Sequence, residues 1–527
     1  MHKFRLWLIE SKNFWGKSLL AVLAGLALAS SFPAYNFGLG VFFGIFLLLT
    51  SIKNLGFFKS LWLGFFAGFA FYGLVLIWLT TYLGPIPWFA LCLVEGLFFA
   101  IAVAMISITW RFLEKINIPA KKVITSFAIG AIYLGREYVA GHFPFGGLAW
   151  ARLGLSQVDN FMAKWAWAVD ISGLTWLLVF ISAYLTLTFL TPLPQGSGLV
   201  KRLRYWLPVL TTTGLVLALA FFVELPKPDN TKTLRVAAVQ GNANAGLFAV
   251  NPPGSILDKH LTVAKKLVAS GKAEGVELMV WPENSSDLDP VTMVDPSLKI
   301  SEFVNEELKA PLLFGNKTYR GSKFFNEVDL WEPNRGLVDW YDKKRPVPFG
   351  EYVPYRSFFM ALAPDMIGLI GWDMAPGERD GIFKIKGKAP IGSLICFEAT
   401  IDELHYDLVD QGAQALMIQT NSSDFGRSIQ GVQLAAISRM RAIETGRTVV
   451  AISTVGLSGI YSPDGQVLQE LPTFTPAAMV QDITLRSDKT PAMIFGRYIE
   501  PTATLLGVIF FLIALLGSLK IRRKRTS

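Results

Sequence analysis

The 527-residue chain is 52% hydrophobic and only 17% charged, with mean hydropathy +0.42, which excludes an ordinary soluble protein and points to a bilayer. Its two cysteines (Cys92 and Cys396) cannot build a disulfide framework, and four scattered histidines (His2, His142, His260, His405) show no metal-ligand spacing, so no metal or cofactor is expected. Residues 1–224 carry 16 Lys and Arg against 7 Asp and Glu, residues 503–527 carry 5 against none, and residues 225–502 carry 28 against 33; a nucleic-acid binder would place its positive charge the other way round.

Residues 1–224 contain apolar runs long enough to cross a bilayer as helices, at 18–34, 37–52, 60–83, 88–110, 123–140, 166–191 and 205–223, with an eighth at 503–519. The first run is read as a retained helix rather than a secretory signal, because further spans follow at once. Eight spans put both termini on one side. Lys3, Arg5, Lys12 and Lys17 precede the first span, and Lys53, Lys59, Arg111, Lys115, Lys121, Lys122, Lys201, Arg202 and Arg204 fall in alternate loops. Lys520, Arg522, Arg523, Lys524 and Arg525 follow the last. The positive-inside rule therefore predicts cytoplasmic termini and an extracytoplasmic 225–502. Arg136 and Glu137 are expected to pair or to reach the interface, and Glu95 is an intramembrane carboxylate without an assigned role. The aromatic, glycine-rich loop 141–164 reads either as an interfacial re-entrant turn or as the lining of a lipid entrance.

After Pro226 and Pro228 the texture changes to alternating strands and helices. Strands are expected at Thr233–Gln240, Val276–Trp281, Pro311–Phe314, Val328–Trp331, Val338–Tyr341, Pro390–Ile395, Ala415–Gln419 and Val449–Ser453. Tyr461 and Val467–Glu470 should close a hairpin around Pro463-Asp464-Gly465. Helices are expected at Ile256–Ala269, Ile300–Glu307 and Ser428–Glu444, and Met360–Trp372 reads either as a lipid-contacting arm or as a core helix. The pattern is that of a layered α/β domain. No phosphate-binding glycine motif stands between a strand and a helix.

Three pieces of this domain carry chemistry. Glu283 in Trp281-Pro282-Glu283 follows a buried strand, where desolvation would raise its pKa toward that of a general base. Lys343-Lys344-Arg345 opens a rigid, proline-rich loop running to Pro354, where an ammonium can stabilise an oxyanion. Cys396 ends the apolar run Pro390–Ile395, and a nearby lysine and carboxylate would make it a nucleophile. Taken singly, they read as a turn residue, a surface basic cluster and a small core residue. Their convergence in one domain favours chemistry.

The Trp-Pro-Glu, Lys…Val-Pro-Phe-Gly-Glu and Cys-Phe-Glu elements resemble the Glu-Lys-Cys triad of the nitrilase (carbon–nitrogen hydrolase) superfamily. Together with the flanking spans they are similar to its apolipoprotein N-acyltransferase family. The resemblance implies an αββα sandwich between residues 225 and 502, with helices 1–224 and 503–527 in the membrane. It implies Glu283 as general base, Lys343 as oxyanion-stabilising cation and Cys396 as nucleophile, with Glu351, Glu398, Phe397 and Asn421 in support. The family's lysine stands eight residues before the Phe-Gly-Glu glutamate, which selects Lys343 over Lys344. Gln240-Gly241-Asn242 matches the family's opening motif. Phe397 replaces a frequent tyrosine, and neither the Asn421–Gly426 loop nor the loop after Asn242 holds the usual tryptophan, with Phe248 nearby in the latter. The implied partners are a membrane phospholipid as acyl donor and a diacylglyceryl-modified apolipoprotein as acceptor, at the bacterial inner membrane. A membrane-anchored amidase acting on a small amide is the alternative.

Overall fold

The computed structural model describes residues 14–82, 84–191, 198–225, 232–246, 249–385 and 387–526, with the backbone alone for 522–526. Lys3, Arg5, Lys12, Pro226, Pro228 and Phe248, and the side chains of Arg522, Arg523, Lys524 and Arg525, lie outside the described residues. The chain divides into two compact units, one formed by 1–224 with 494–527 and the other by 225–493.

The first unit is helical: α1 (Phe14–Ser30), α2 (Gly40–Ile52), α3 (Phe57–Val75), α4 (Pro85–Lys115), α5 (Lys121–His142), α6 (Lys164–Leu190), α7 (Leu199–Phe222) and most of α12 (Pro491–Thr526). The expected spans fall mainly on these helices, but 60–83 runs past the end of α3 into the separate short helix Leu79–Tyr82, with Leu83 outside the described residues, and the last begins at Pro491 rather than 503. Its early turns, Pro491 to Thr502, therefore lie inside the stretch first read as part of the α/β domain. Segments around α3, α4, α6, α7 and α12 are long and apolar enough to cross a membrane, while α1 and α2 are shorter apolar helices. Small residues let the helices approach. A Cβ on Gly25 of α1 would sit 2.1 Å from the Ala67 carbonyl oxygen of α3, so only glycine permits that contact.

Several buried charges inside this unit are paired. Arg136 and Glu137 of α5 are both buried and lie 3.3 Å apart, and Arg136 also donates to the Tyr72 hydroxyl. Glu137 accepts the Leu153 N–H at 2.9 Å and so ties down the 141–164 loop. That loop is more than an interfacial turn, because Trp150–Val158 are buried within the unit while Phe143 and Phe161 remain exposed. Arg152 from the loop reaches Glu500 at 3.3 Å and Asp170 at 3.6 Å, where φ of +67° at Asp170 breaks α6.

The second unit is a four-layer αββα sandwich. One sheet runs β12-β1-β2-β3-β4-β5 and the other β11-β10-β9-β8-β7-β6. The strands of the first are β1 (Thr233–Gln240), β2 (Leu278–Val280), β3 (Leu312–Arg320), β4 (Lys323–Glu332), β5 (Gly336–Asp342) and β12 (Ala477–Thr484). Those of the second are β6 (Ile382–Phe383), β7 (Ile391–Ile395), β8 (Ala415–Thr420), β9 (Thr448–Ser453), β10 (Ser458–Tyr461) and β11 (Val467–Leu471). β1-β2-β3 and β7-β8-β9 are parallel triplets, and the remaining pairs are antiparallel. Parallel strands buried on both faces need continuous apolar runs, as in Val236–Val239 and Leu416–Ile418. The inner faces interdigitate through Val236, Val280, Leu313 and Val328 from one sheet and Ile391, Ile395, Met417 and Val450 from the other. Outside, α8 (Ser255–Ala269) and α9 (Val294–Glu302) cover the first sheet through Leu257, Leu261 and Ile300. α10 (Asp402–Asp410) and α11 (Gln430–Thr445) accompany the second.

Two expectations need correction. Pro311–Phe314 and Val328–Trp331 are fragments of one long β3–β4 hairpin, whose polar residues Asn316, Thr318, Asn326, Glu327 and Asp329 are buried. Polar side chains on both faces erase the period-two apolar signal that identifies a strand. Met360–Trp372 is no core helix. It belongs to the short turns Arg356–Leu362 and Pro364–Ile367, where Phe358, Leu362, Leu369 and Trp372 stay exposed and Ile367 is buried.

Candidate active site

Open α/β sheets gather chemistry at the carboxyl ends of their parallel strands. Here β2 ends at Val280 and the chain turns at Pro282-Glu283-Asn284, with Asn284 at φ +52°. The turn presses against Gly315 of β3 so closely that a Cβ there would lie 2.5 Å from Asn284 N and 2.6 Å from Glu283 Cα. β7 ends at Ile395, and Cys396 takes φ +55° before the tight turn Cys396–Thr400. A non-glycine residue in this region costs about 1 kcal/mol or more, and the sharp bend lifts the side chain out of the strand line. β8 ends at Thr420, followed by Asn421, while Lys343 directly follows β5. The Gln419 carboxamide donates to the Trp281 carbonyl at 2.7 Å and joins the two sheets beside these turns.

Five sequence-predicted residues converge here. Lys343 Nζ donates to Glu351 Oε1 at 2.9 Å and lies 3.6 Å from Glu283 Oε1. Asn421 contributes its backbone: its N–H donates to Glu283 Oε2 at 2.8 Å and also lies against the Cys396 sulfur. The Cys396 thiol is partly buried and feels the charges of Glu283, Lys343 and Glu351. Glu351 is fixed in turn by the Val347 N–H at 2.6 Å.

Glu398 plays a different part. Its Oε1 accepts Lys344 N–H at 2.8 Å, Arg345 N–H at 3.1 Å and the Tyr341 hydroxyl at 2.9 Å, and its Oε2 accepts Ile395 N–H at 2.9 Å. One buried carboxylate thus fastens the loop carrying Lys343 to the turn carrying Cys396. Phe397 stands partly buried beside it. Gln240 lies at the end of β1, where it receives Ser458 Oγ at 2.6 Å and holds the Pro472 and Thr475 carbonyls.

Sequence reasoning missed Asn326 of β4. Its carboxamide nitrogen donates to Glu283 Oε1 at 2.7 Å and to Glu351 Oε1 at 2.8 Å, binding both carboxylates at once. Its main-chain carbonyl accepts the Lys343 N–H at 2.8 Å. The usable signal was the turn Gly321-Ser322 between two runs of similar length, which marks a hairpin that would carry Asn326 to the strand ends.

The electrostatics follow from burial. Desolvation raises the Glu283 pKa above the usual carboxylate range, against the pull of Lys343, while Glu351 pushes it further up. Burial opposes the Lys343 charge, but Glu351 and Glu283 outweigh it and hold the ammonium protonated. Desolvation and the Glu283 charge push the Cys396 thiol up, with Lys343 countering. The resting arrangement is a neutral thiol beside a protonated Lys343 that stands between the Glu283 and Glu351 carboxyl groups.

Residues 24–184 match the apolipoprotein N-acyltransferase N-terminal domain family, and residues 235–487 match the carbon–nitrogen hydrolase family. The chain belongs to the apolipoprotein N-acyltransferase branch of the carbon–nitrogen hydrolases. A relative named apolipoprotein N-acyltransferase, from Mycolicibacterium smegmatis, is 29% identical over 97% of this chain and 88% of its own. Another of that name, from Pseudomonas putida, is 26% identical over 90% and 92%. An amidase from Nesterenkonia sp. is similar at 18% identity over 50% of this chain and 93% of its own, with a TM-score of 0.37. Within the family the match spans both the helical unit and the sandwich, so the cluster at the strand ends occupies the hydrolase-matching half.

Proposed function

We propose that this chain transfers a fatty acyl group from a membrane phospholipid to the α-amino group of an S-diacylglyceryl-cysteine at the N-terminus of an apolipoprotein. The carrier is a thioester on Cys396. The observation that carries this reading is one chain that joins an acyltransferase-type helical unit to a hydrolase sandwich whose Glu283, Lys343 and Cys396 meet at the strand ends.

Glu283 takes the proton from the Cys396 thiol, for which a raised carboxylate pKa suits it. The thiolate attacks the ester carbonyl, and the Lys343 ammonium with a backbone N–H near Cys396 stabilises the tetrahedral oxyanion. The carbonyl–oxygen bond breaks, Glu283 returns the proton, and a lysophospholipid leaves. The α-amino group of the acceptor then attacks the thioester, Glu283 accepts its proton, and the thiol is restored. Glu351 and Glu398 act as positioning groups, since their contacts reach the reacting atoms through Lys343 and the Cys396 turn.

The membrane placement fits this chemistry. Eight spans with cytoplasmic termini would put 225–493 outside the inner membrane, on the strength of the Lys and Arg distribution. Both substrates are lipid-anchored, so a site at the outer leaflet meets them at high effective concentration. Segment 352–372, with Tyr355, Phe358, Leu362, Leu369 and Trp372 exposed, has the character of an arm that touches lipid. The test is to incubate membranes with acyl-labelled phospholipid and look for a hydroxylamine-sensitive label on the protein. Its persistence in Cys396→Ala would refute the assignment, and release of ammonia from small amides by the purified protein would favour an amidase instead.

A further inference from the structure

Lys317 lies in β3 directly opposite Asn326 of β4. Cross-strand partners project from one face of a sheet, so Lys317 emerges beside the carboxamide that binds Glu283 and Glu351. Its side chain is partly buried, yet its ammonium makes no hydrogen bond or ion pair with any described residue. The nitrogen lies 5.7 Å from the centroid of the Trp372 ring, and its charge reaches Glu283 and Asp424 through space. Aromatic rings continue outward on the same face: Tyr319 stacks on Phe324 with centroids 4.4 Å apart, and Phe324 meets the edge of Trp372 at 6.2 Å. Tyr319 and Trp372 are exposed, as are Phe358, Leu362 and Leu369 of the adjoining arm.

This combination has a chemical meaning. A partly buried lysine whose ammonium stands near an aromatic ring without a hydrogen-bond or ion-pair partner among the described residues is suited to an anion held at an apolar–polar boundary. The neighbouring strand lies about 4.8 Å away, so the cation sits one strand from the carboxylates around the reacting sulfur. In a glycerophospholipid only the glycerol unit separates the ester carbonyl from the phosphate. We propose that Lys317 binds the phosphate of the phospholipid acyl donor, with Tyr319, Phe324 and Trp372 packing against the glycerol and upper acyl region. The assignment rests on the acyl-transfer reading and extends it to the donor's headgroup: the site takes a phosphodiester lipid in preference to a neutral one.

The experiment compares two donors with the full-length enzyme in mixed micelles, a diacyl phosphatidylglycerol and a phosphate-free fluorogenic fatty-acyl phenyl ester. Lys317→Met is expected to raise KM for the phospholipid on the order of tenfold more than KM for the phosphate-free ester, the scale of one lost charge-assisted hydrogen bond. Lys317→Arg should recover most of that difference. An equal loss on both donors would mean that Lys317 acts through its field on Glu283, and would overturn the phosphate assignment alone. A change confined to KM for the acceptor peptide would overturn it in favour of acidic residues on that peptide. An unacylated Cys396 with both donors in the unsubstituted enzyme would overturn the acyl-transfer reading, and this assignment with it.

Discussion

Replacing Asn326 with leucine keeps the side-chain volume and removes the two N–H donors that reach Glu283 Oε1 at 2.7 Å and Glu351 Oε1 at 2.8 Å. A hydrogen bond to a charged group contributes about 1.5–3 kcal/mol, and one pKa unit corresponds to about 1.4 kcal/mol. The bond from Asn326 favours the ionised form of Glu283, so its loss raises a pKa that burial has already raised. Glu283 must be ionised to accept the thiol proton. The acid limb of acyl-enzyme formation should therefore move to higher pH by about 1–2 units, while the plateau falls less. Asn326→Asp replaces the donor by a third carboxylate and should move the limb further. The assay is single-turnover acylation of Cys396 by a fluorogenic acyl ester across pH 4–9. A lowered rate with an unmoved acid limb would refute the reasoning, because it would make Asn326 a packing residue rather than an electrostatic one.

Other substitutions report on the supports. Glu398→Gln places an NH₂ group where the carboxylate accepts Lys344 and Arg345 backbone donors on one oxygen and Ile395 on the other. One edge must then separate, and acylation should slow by about 10²-fold in a folded protein, read by stopped-flow acylation beside circular dichroism. An unchanged rate would show that the Lys343 loop holds its place without this anchor. Gly315→Ala forces a methyl group into backbone atoms 2.5–2.6 Å away in the turn holding Glu283. It should lower kcat far more than it raises KM, and a rate within twofold of the unsubstituted enzyme would contradict the proposed dependence on that turn.

What the sequence disclosed, and what it hid, divides along a physical line. Strands buried on both faces, such as Val236–Val239 and Ile391–Ile395, are legible because mostly apolar or small residues fill them, bounded by changes of texture. The placing of Glu283, Lys343 and Cys396 was legible because each follows a strand end within a rigid local motif. The β3–β4 hairpin was hidden because it builds a buried polar layer: Asn316 bonds Asp329, Thr318 bonds Asp289, and Arg320 pairs with Glu327 and Asp342. Such residues read as loop until the partners that satisfy them are in place. Asn326 and Lys317 both lie on that hairpin, so the same blind spot concealed the residue that orients the carboxylates and the cation beside them. In the helical unit, the length of the last helix was underestimated because Arg497 and Glu500 interrupt its apolar run before Pro501. Glu500 bonds Ser172 and lies 3.3 Å from Arg152, partners that only the folded unit reveals.

The most direct test is the fate of an acyl group on Cys396. The enzyme is first loaded with labelled phospholipid and freed of donor, and the peptide containing Cys396 is followed by mass spectrometry. A diacylglyceryl-cysteine peptide is then added with its α-amino group either free or acetylated. The account predicts a thioester on Cys396 that persists in water, survives the acetylated peptide, and passes to the free amine. Loss of the acyl group to water at the same rate with either peptide, or an acyl group that never forms on Cys396, would contradict it.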